Sequence, residues 1–529
     1  MKNNRKGVFT LILILVFIGG LVTVCFVKFK DSFFNGEKIE VENNNKYMSY
    51  RLTGNSLENF DLYFLQLENT NKNKVYSPLS IKYALAMLQE GAIGESKEQI
   101  TNIIGTYNSK KYTNSNNMSF ANAFFIKDTY KDSINDNYIN TLKNKYNAEV
   151  KTDSFANPNK VNSWVNNKTL GLINNLFNDI SQEDFLLINA LAIDMEWEQK
   201  FMRVPGYGVG LSYHHEDFNW RGDSDIEEHS FKNMGENVSG MEIIASFNNY
   251  DIVKTLGEEN IRKTVKSEME RYFQENDFVS ITDYFYEEDK IAGKSENELM
   301  EMYLDRYVEE IDSNYKTGGQ TTDFSFYVDS NVKAFAKDLK TYNGTTLQYV
   351  AIMPTNENLD SYVSKSNANS INKIIGNLKE LKADNFKEGV VTKITGFIPK
   401  FKFSYELDLK NDLQKLGIKN VFELGKANLT NLSSDTNLFI GEVKHNANIE
   451  LTQEGIKAAA VTTVGGFGGG GYFEYEFEVP VEEIDLTFDR PYMFIIRDIN
   501  TGEVWFTGTV YEPLLYSMDT TKNEPAFAE

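Results

Sequence analysis

Apolar positions in this chain recur with two different periods, and the alternation between them divides it into helices and strands. From Asn59 onward, Phe60, Tyr63, Phe64 and Leu67 fall at helical spacing, and the pattern stops before the polar run 69–74. Val75-Tyr76-Ser77-Pro78-Leu79-Ser80 reads as a short extended piece leading into a helix over 81–90, with Pro78 near its first turn and Gly91 to Ser96 as the following turn. Ala121 to Ile126 has strand length, and Asn162 to Leu176 reads as a helix turning Trp164, Val165 and Leu172 inward. Leu186 to Ile193 is almost uninterrupted in its apolar character, which predicts a strand covered on both faces within a central sheet.

Between Phe201 and Thr321 the sequence turns aromatic, acidic and rich in glycine. Two amphipathic helices are predicted inside it, one on Ile261, Val265, Met269 and Tyr272, the other on Met300, Tyr303, Leu304, Tyr307, Val308 and Ile311. Further on, Leu347 to Met353, Phe397 to Phe403, Leu438 to Val443 and Asn446 to Leu451 read as strands. Pro354 opens a helical segment that runs through Leu378, and Leu409 to Leu416 is a helix closed by Gly417. Tyr492 to Arg497 and Val504 to Val510 form a strand pair joined at Asn500-Thr501-Gly502. Helices early and strands late indicate an α+β body.

The N-terminus adds a different element. Gly7 to Val27 is a run of 21 uncharged, mainly apolar residues, long enough to cross a bilayer, and Lys2, Arg5 and Lys6 precede it. No small-x-small cleavage triplet follows, so residues 1–30 are expected to be a retained single-pass anchor with the body extracytoplasmic; a cleaved signal segment and a secreted protein are the alternative. Residues 31–58 would be an acidic, Asn-rich tether and 514–529 a tail.

Cys25 is the only cysteine, so the body has no disulfide and is held by packing. A net charge of −22 excludes a nucleic-acid footprint, and four histidines (His214, His215, His229, His445) leave little room for metal chemistry. No catalytic set is legible, and acidic runs such as Glu287-Glu288-Asp289 read as a solvated face. No enzyme activity, metal or cofactor is expected, and the chain reads as a monomer.

The least ordinary segment is Glu454 to Pro480. Ala458-Ala459-Ala460 leads through Val461-Thr462-Thr463-Val464 into a stretch where six of the seven residues 465–471 are glycine. Such a stretch cannot be a packed core element, because glycine loses the most entropy on ordering and offers no side chain. On composition alone it is a flexible surface loop. If 456–464 were ever a strand, Ile456, Ala458, Ala460, Thr462 and Val464 would share one face and Lys457, Ala459, Val461 and Thr463 the other.

An ordered set of motifs over residues 59–513 resembles the serpin family. Val75-Tyr76-Ser77-Pro78-Leu79-Ser80-Ile81, Asn162-x-Trp164-Val165 with Thr169-x-Gly171, and Leu187-Ile188-Asn189-Ala190 through Trp197 and Phe201 come first. Phe397-Ile398-Pro399-Lys400-Phe401, Val443-x-His445-x-Ala447, Glu454-Gly455-Ile456-Lys457-Ala458-Ala459-Ala460, Arg490-Pro491-Tyr492-Met493-Phe494 and Phe506-x-Gly508-x-Val510 follow in family order.

The resemblance implies a serpin fold with a large, mostly antiparallel central sheet and an exposed reactive centre loop, and a suicide-type inhibitor of serine endopeptidases. Its hinge would be Gln453, Glu454, Gly455, Ile456, Ala458, Ala459 and Ala460, and its shutter Ser77, Ser80, Asn189 and His445. Counting forward from Gln453 places the reactive bond at Gly469, next to Gly470; counting back from Pro491 lands near Pro480, eleven residues later. Residues 206–319 are longer than the family's equivalent and read as an enlarged insertion.

Two departures stand at the hinge, Gln453 where the family has Glu and Ile456 where it has Thr or Ser. They motivate the alternative, a non-inhibitory serpin-fold surface protein acting in adhesion or assembly. As bait, Phe467, Tyr472 and Phe473 would suit a chymotrypsin-like protease, and Gly469 an elastase- or subtilisin-like one. With no Arg or Lys between Ala458 and Asp489, trypsin-like proteases are excluded. The leading expectation is therefore a protease inhibitor tethered to a bacterial-type membrane.

Overall fold

Ser77 has extended backbone and its side-chain oxygen accepts from the Ser80 N–H, so a helix begins at Pro78, whose missing N–H costs nothing there, and runs to Gly91. This helix runs through the middle of the protein. It is described in a computed structural model covering residues 49–520 apart from 55, 69, 109, 202–225, 286–290, 316–318, 321–322, 442, 457–476 and 479.

Lys82 lies on a buried face of that helix and stays there because Asp61, on the helix Asn59–Leu67, meets it at 2.6 Å with both side chains fully enclosed. Burial raises the Asp61 carboxyl above its ordinary range while Lys82 opposes the rise. Removing either partner would leave a buried charge uncompensated.

Around the helix the chain forms an α+β body with a mostly antiparallel strand system. One sheet has the order Lys74–Tyr76, Val504–Val510, Tyr492–Asp498, Leu347–Pro354, Val332–Asp338, Ser325–Val328, Lys379–Glu380, and every neighbouring pair is antiparallel. The central strand Leu347–Pro354 is buried throughout, as its apolar run predicts. A second sheet carries Val481–Thr487 parallel to Val391–Pro399, followed by Val238–Asn248 and Ile226–His229. A three-stranded group (Ala148–Asp153, Met118–Lys127, Phe185–Ile193) and a hairpin-like pair (Phe401–Asp408, Lys444–Leu451) complete the layers.

Outside the main core, the helices Ile252–Leu256, Glu258–Glu275 and Glu296–Tyr315 lie where helical periodicity places them. Ile261, Val265 and Met269 meet Met300, Tyr303, Tyr307 and Ile311 in a separate hydrophobic cluster. Arg262 spans the two longer helices, reaching Asp305 at 2.5 Å and Glu301 at 2.8 Å.

Several local expectations are corrected. The helix expected over 162–176 is Asn159–Lys168, because Leu170 and Gly171 adopt positive φ (54° and 78°) and the apolar spacing beyond them cannot be used helically. Phe397 to Phe403 is two strands broken at Lys400, whose ammonium turns inward to Asp519 at 3.1 Å. Leu438 to Val443 is not a strand. Phe185–Ile193 pairs on one side only among the described strands, so it borders a gap rather than a closed sheet.

The membrane expectation is corrected as well. No helix among the described residues is long and apolar enough to cross a membrane. The two longest, of 18 and 20 residues, carry charges along their length, and each charge at a bilayer centre costs about 2.5–3.5 kcal/mol. The single-pass anchor, the membrane as a partner and a body hung from it are therefore not carried forward; the span assigned to Gly7 to Val27 lies outside the described residues.

Gly508 packs where three strands and a ring converge. A Cβ there would lie 2.1 Å from the Lys74 carbonyl oxygen and 2.4 Å from the Phe494 ring. Gly508→Ala is expected to destabilise the protein by about 1–3 kcal/mol, read as a lower urea midpoint at unchanged slope; an unchanged midpoint would show that the strands can part without penalty.

Candidate functional site

Two strands that a closed sheet would join lie apart. Phe185–Ile193 pairs outward with Met118–Lys127, and Lys444–Leu451 pairs outward with Phe401–Asp408. Their inner edges face each other without a ladder between them among the described residues. The space between holds two cavities. One, of about 100 Å³, is lined by Ser77, Leu85, Asn189, Leu413, His445 and Asn446 among others. The other, of about 500 Å³, is lined by Leu172, Ile193, Asn448, Ile449 and Ile456.

Four residues singled out in the sequence meet at the first cavity. Ser77 donates its backbone N–H to His445 Nε2 at 2.9 Å, and Ser80 Oγ donates to the Asn189 carbonyl at 3.3 Å. The N-terminus of the Pro78–Gly91 helix thus holds one strand through His445 and the other through Asn189. Because His445 Nε2 accepts, the imidazole is neutral with its proton on Nδ1. Burial lowers its pKa to about 4, in agreement with that state.

Asn189 Nδ2 donates to Asn122 Oδ1 at 2.8 Å, and Asn122 Nδ2 donates to the Tyr146 carbonyl at 2.8 Å. Asn122 was missed in the sequence; its signal was one carboxamide inside the apolar run 121–126. The side-chain oxygens of Asn189 and Asn446 are buried at the cavity without a hydrogen-bond partner among the described residues. At the other cavity Asn448 Nδ2 donates to the Leu172 carbonyl, a second contact across the gap that the sequence did not announce.

The far end of the gap is closed by Gly455 and Ile456. Gly455–Ile456 pairs antiparallel with Met195–Glu196. The Trp197 N–H donates to the Glu454 carbonyl at 3.2 Å, the Trp197 indole Nε1 donates to the Thr452 carbonyl at 3.0 Å, and Lys200 meets Glu454 at 2.6 Å. Gly455 is required here by close approach, since a Cβ would lie 2.4 Å from the Met195 carbonyl oxygen. Gln453 and Ile456 are both buried, Ile456 at 2 % exposure, so its bulk is already accommodated beside the gap. The Gln453 side-chain oxygen is buried without a hydrogen-bond partner among the described residues. Ala458, Ala459, Ala460, Phe467, Gly469, Gly470, Tyr472 and Phe473 lie outside the described residues. Among the described residues no three His, Cys, Asp or Glu side chains come together to hold a metal.

Among the described residues the two strands are thus parted along one line, bridged at one end by a helix N-terminus and at the other by the pairing of Gly455–Ile456 with Met195–Glu196. Residues 59–204 and 316–513 match the family described as Serpin (serine protease inhibitor), and the chain belongs to it. It is therefore a member of a family of inhibitors rather than of enzymes.

Relatives include a serpin-like protein of Methanosarcina acetivorans, 24% identical over 87% of this chain and 86% of its own length. Iripin-1 of Ixodes ricinus is 23% identical over 88% of this chain and 96% of its own. Organisms this far apart leave a bacterial origin unspecified by family membership. In structure the chain is similar to the thermophilic serpin Tengpin in its native state, with a TM-score of 0.56 and 21% identity over 86% of this chain and 93% of that one. It is also similar to human thyroxine-binding globulin complexed with thyroxine, with a TM-score of 0.57 and 19% identity over 89% and 100%. These likenesses establish the fold.

The buried His445 makes a pH prediction. Its folded pKa lies below the unfolded value near 6.5, so the unfolded chain binds more protons between about pH 4 and 6.5. The contribution is fully present above that window and is lost as pH falls through it, by about 2 kcal/mol between pH 7 and pH 5. Asp61, shifted upward, acts in the opposite sense, so the comparison must be between proteins. His445→Gln is expected to lose less stability than the wild type between pH 7 and pH 5 in urea titrations; parallel pH profiles would refute the neutral, buried imidazole.

Proposed function

We propose that this chain inhibits serine endopeptidases by offering the loop 457–476 as bait and taking its freed N-terminal part up as a strand between Phe185–Ile193 and Lys444–Leu451. The observation that carries the reading is the open gap, with both bordering strands paired only outward among the described residues and the hinge already paired to Met195–Glu196 at its mouth.

In this reading the protease serine oxygen attacks the carbonyl of the reactive bond, the peptide C–N bond breaks, and the departing amine stays with the body. The acyl ester is then carried along as the hinge extends the two-residue ladder down the gap. Backbone N–H and C=O groups along both edges gain partners, and the small face of Ala458 and Ala460 enters the cavities. Ser77, Ser80, Asn189 and His445 act as the shutter that must yield, and residues 206–319 are an insertion in this framework. The absence of Arg and Lys between Ala458 and Asp489 directs the bait toward elastase-, subtilisin- or chymotrypsin-like enzymes.

The second reading is a non-inhibitory serpin-fold surface protein acting in adhesion or assembly. Gln453 favours it, because a buried carboxamide oxygen without a partner is an awkward pivot for a hinge that must move. The comparisons agree with this reading at least as well as with the first: thyroxine-binding globulin carries the same fold around thyroxine, so likeness of fold does not choose between trapping a protease and another task.

Cleavage between Val464 and Pro480 is expected to raise the melting temperature as the loop fills the gap, and Ala458→Arg to raise the number of inhibitor molecules consumed per protease trapped. Ala459→Arg, on the solvent-facing parity, should stay near wild type, because only the inward charge must be desolvated. An unchanged melting temperature after cleavage, together with no SDS-stable complex with any elastase-, subtilisin- or chymotrypsin-like enzyme, would replace the first reading by the second.

A further inference from the structure

Phe477, just after residues 457–476, packs beside a part of the chain that the family match does not account for. That match omits 205–315, the stretch holding the helices Ile252–Leu256, Glu258–Glu275 and Glu296–Tyr315. Their hydrophobic cluster is not closed on itself. It takes in Val391, the first residue of the strand Val391–Pro399, and Phe477 packs against it from the C-terminal side of the loop.

The neighbouring backbone is tied down at the same place. The Val391 N–H donates to the Pro480 carbonyl at 2.9 Å, and the parallel ladder with Val481–Thr487 begins at Val391 opposite Val481. From the other side, Asn249 donates to the Val390 carbonyl at 3.1 Å and accepts from the Gly389 N–H at 2.9 Å, which joins the approach to these helices to the same corner.

We infer that these helices form an anchor for the distal end of the loop, with Phe477 as the residue that seats it, and that this anchor sets which bonds a protease can reach. The inference rests on the loop being the bait. A protease must lift several residues on either side of the bond it cuts into an extended run. Residues 477–480 cannot be lifted while Phe477 is packed and the Pro480 carbonyl is held. The count back from Pro491, which put the reactive bond near Pro480, is therefore closed, and the count from Gln453, which put it at Gly469, remains open. With the reactive bond at Gly469, the eleven additional residues fall on its C-terminal side in the sequence. Phe477 is a positioning residue: it touches no reacting atom, and its effect is on the register and reach of the segment before it.

The loop's acidic residues provide the test, because Glu474 and Glu478 fall on opposite sides of Phe477. Full-length protein is exposed briefly to a glutamate-specific endoprotease and the new termini are mapped by mass spectrometry. Cleavage after Glu478 is expected to be at least about tenfold slower than after Glu474, and in Phe477→Ala the two rates should approach each other, since cutting tracks the opened population. Phe477→Leu, which keeps an apolar side chain, should restore most of the protection, and an unchanged melting temperature in both variants separates local release from unfolding. Equal rates at the two bonds in the wild type, or a ratio that Phe477→Ala leaves unaltered, would overturn the anchor. No step of this readout needs a trapped protease or an inserted strand, so a protein that proves non-inhibitory can still display the anchor, and an inhibitor can still lack it.

Discussion

Everything distinctive about this fold depends on hydrogen-bonding capacity that two strands, among the described residues, do not spend on each other. Phe185–Ile193 and Lys444–Leu451 each carry an inner edge of backbone groups directed toward the gap. Buried backbone groups without partners are costly, so the arrangement persists only because other contacts hold the strands apart at a fixed spacing. The Ser77 N–H on His445 and Ser80 on the Asn189 carbonyl do this at one end, and the pairing of Gly455–Ile456 with Met195–Glu196 does it at the other. Each contact is worth only about 0.5–1.5 kcal/mol on its own.

The helix that carries Ser77 and Ser80 is fixed far more firmly than the strands it bridges. Pro78 sets its start, Lys82 ties it to Asp61 through a buried ion pair, and its apolar residues lie in the main core. This asymmetry suits a bridge: the support stays in place while the strands attached to it separate or close. His445 fits the same logic, because a neutral imidazole accepts the Ser77 N–H at physiological pH and loses that ability when it is protonated.

Much of this was legible along the chain, and what was not has a physical cause. Helices such as 258–275 and 296–315 declare themselves locally because one apolar face recurs at helical spacing, and the apolar strands 347–354, 492–498 and 504–510 because their burial is nearly uniform. The four residues of the bridge were identified through the family's motif order; spacing could not have joined Ser77 to His445, which are separated by 368 positions. Asn122, Asn448 and Lys200 escaped because each makes its contact with a residue remote in sequence. The break at Lys400 and the early end of the helix at Lys168 were missed for a different reason. A buried lysine paired with Asp519 and a non-glycine residue at positive φ run against local preference and are settled by tertiary packing.

Trp197 gives this molecule an optical property. Its indole is enclosed to 1 % exposure, meets Phe201 and Tyr349 edge-on, lies 5.7 Å from the Lys337 ammonium and donates to the Thr452 carbonyl at the root of the hinge. An indole's emission depends on the dipoles and charges around it, and here one of those dipoles belongs to the peptide from which the loop departs. Any movement that draws Thr452 away alters the field at the ring while its aromatic neighbours stay in place. The emission colour of Trp197, one of four tryptophans in the chain, is thereby coupled to the position of Thr452, without a label and without a ligand.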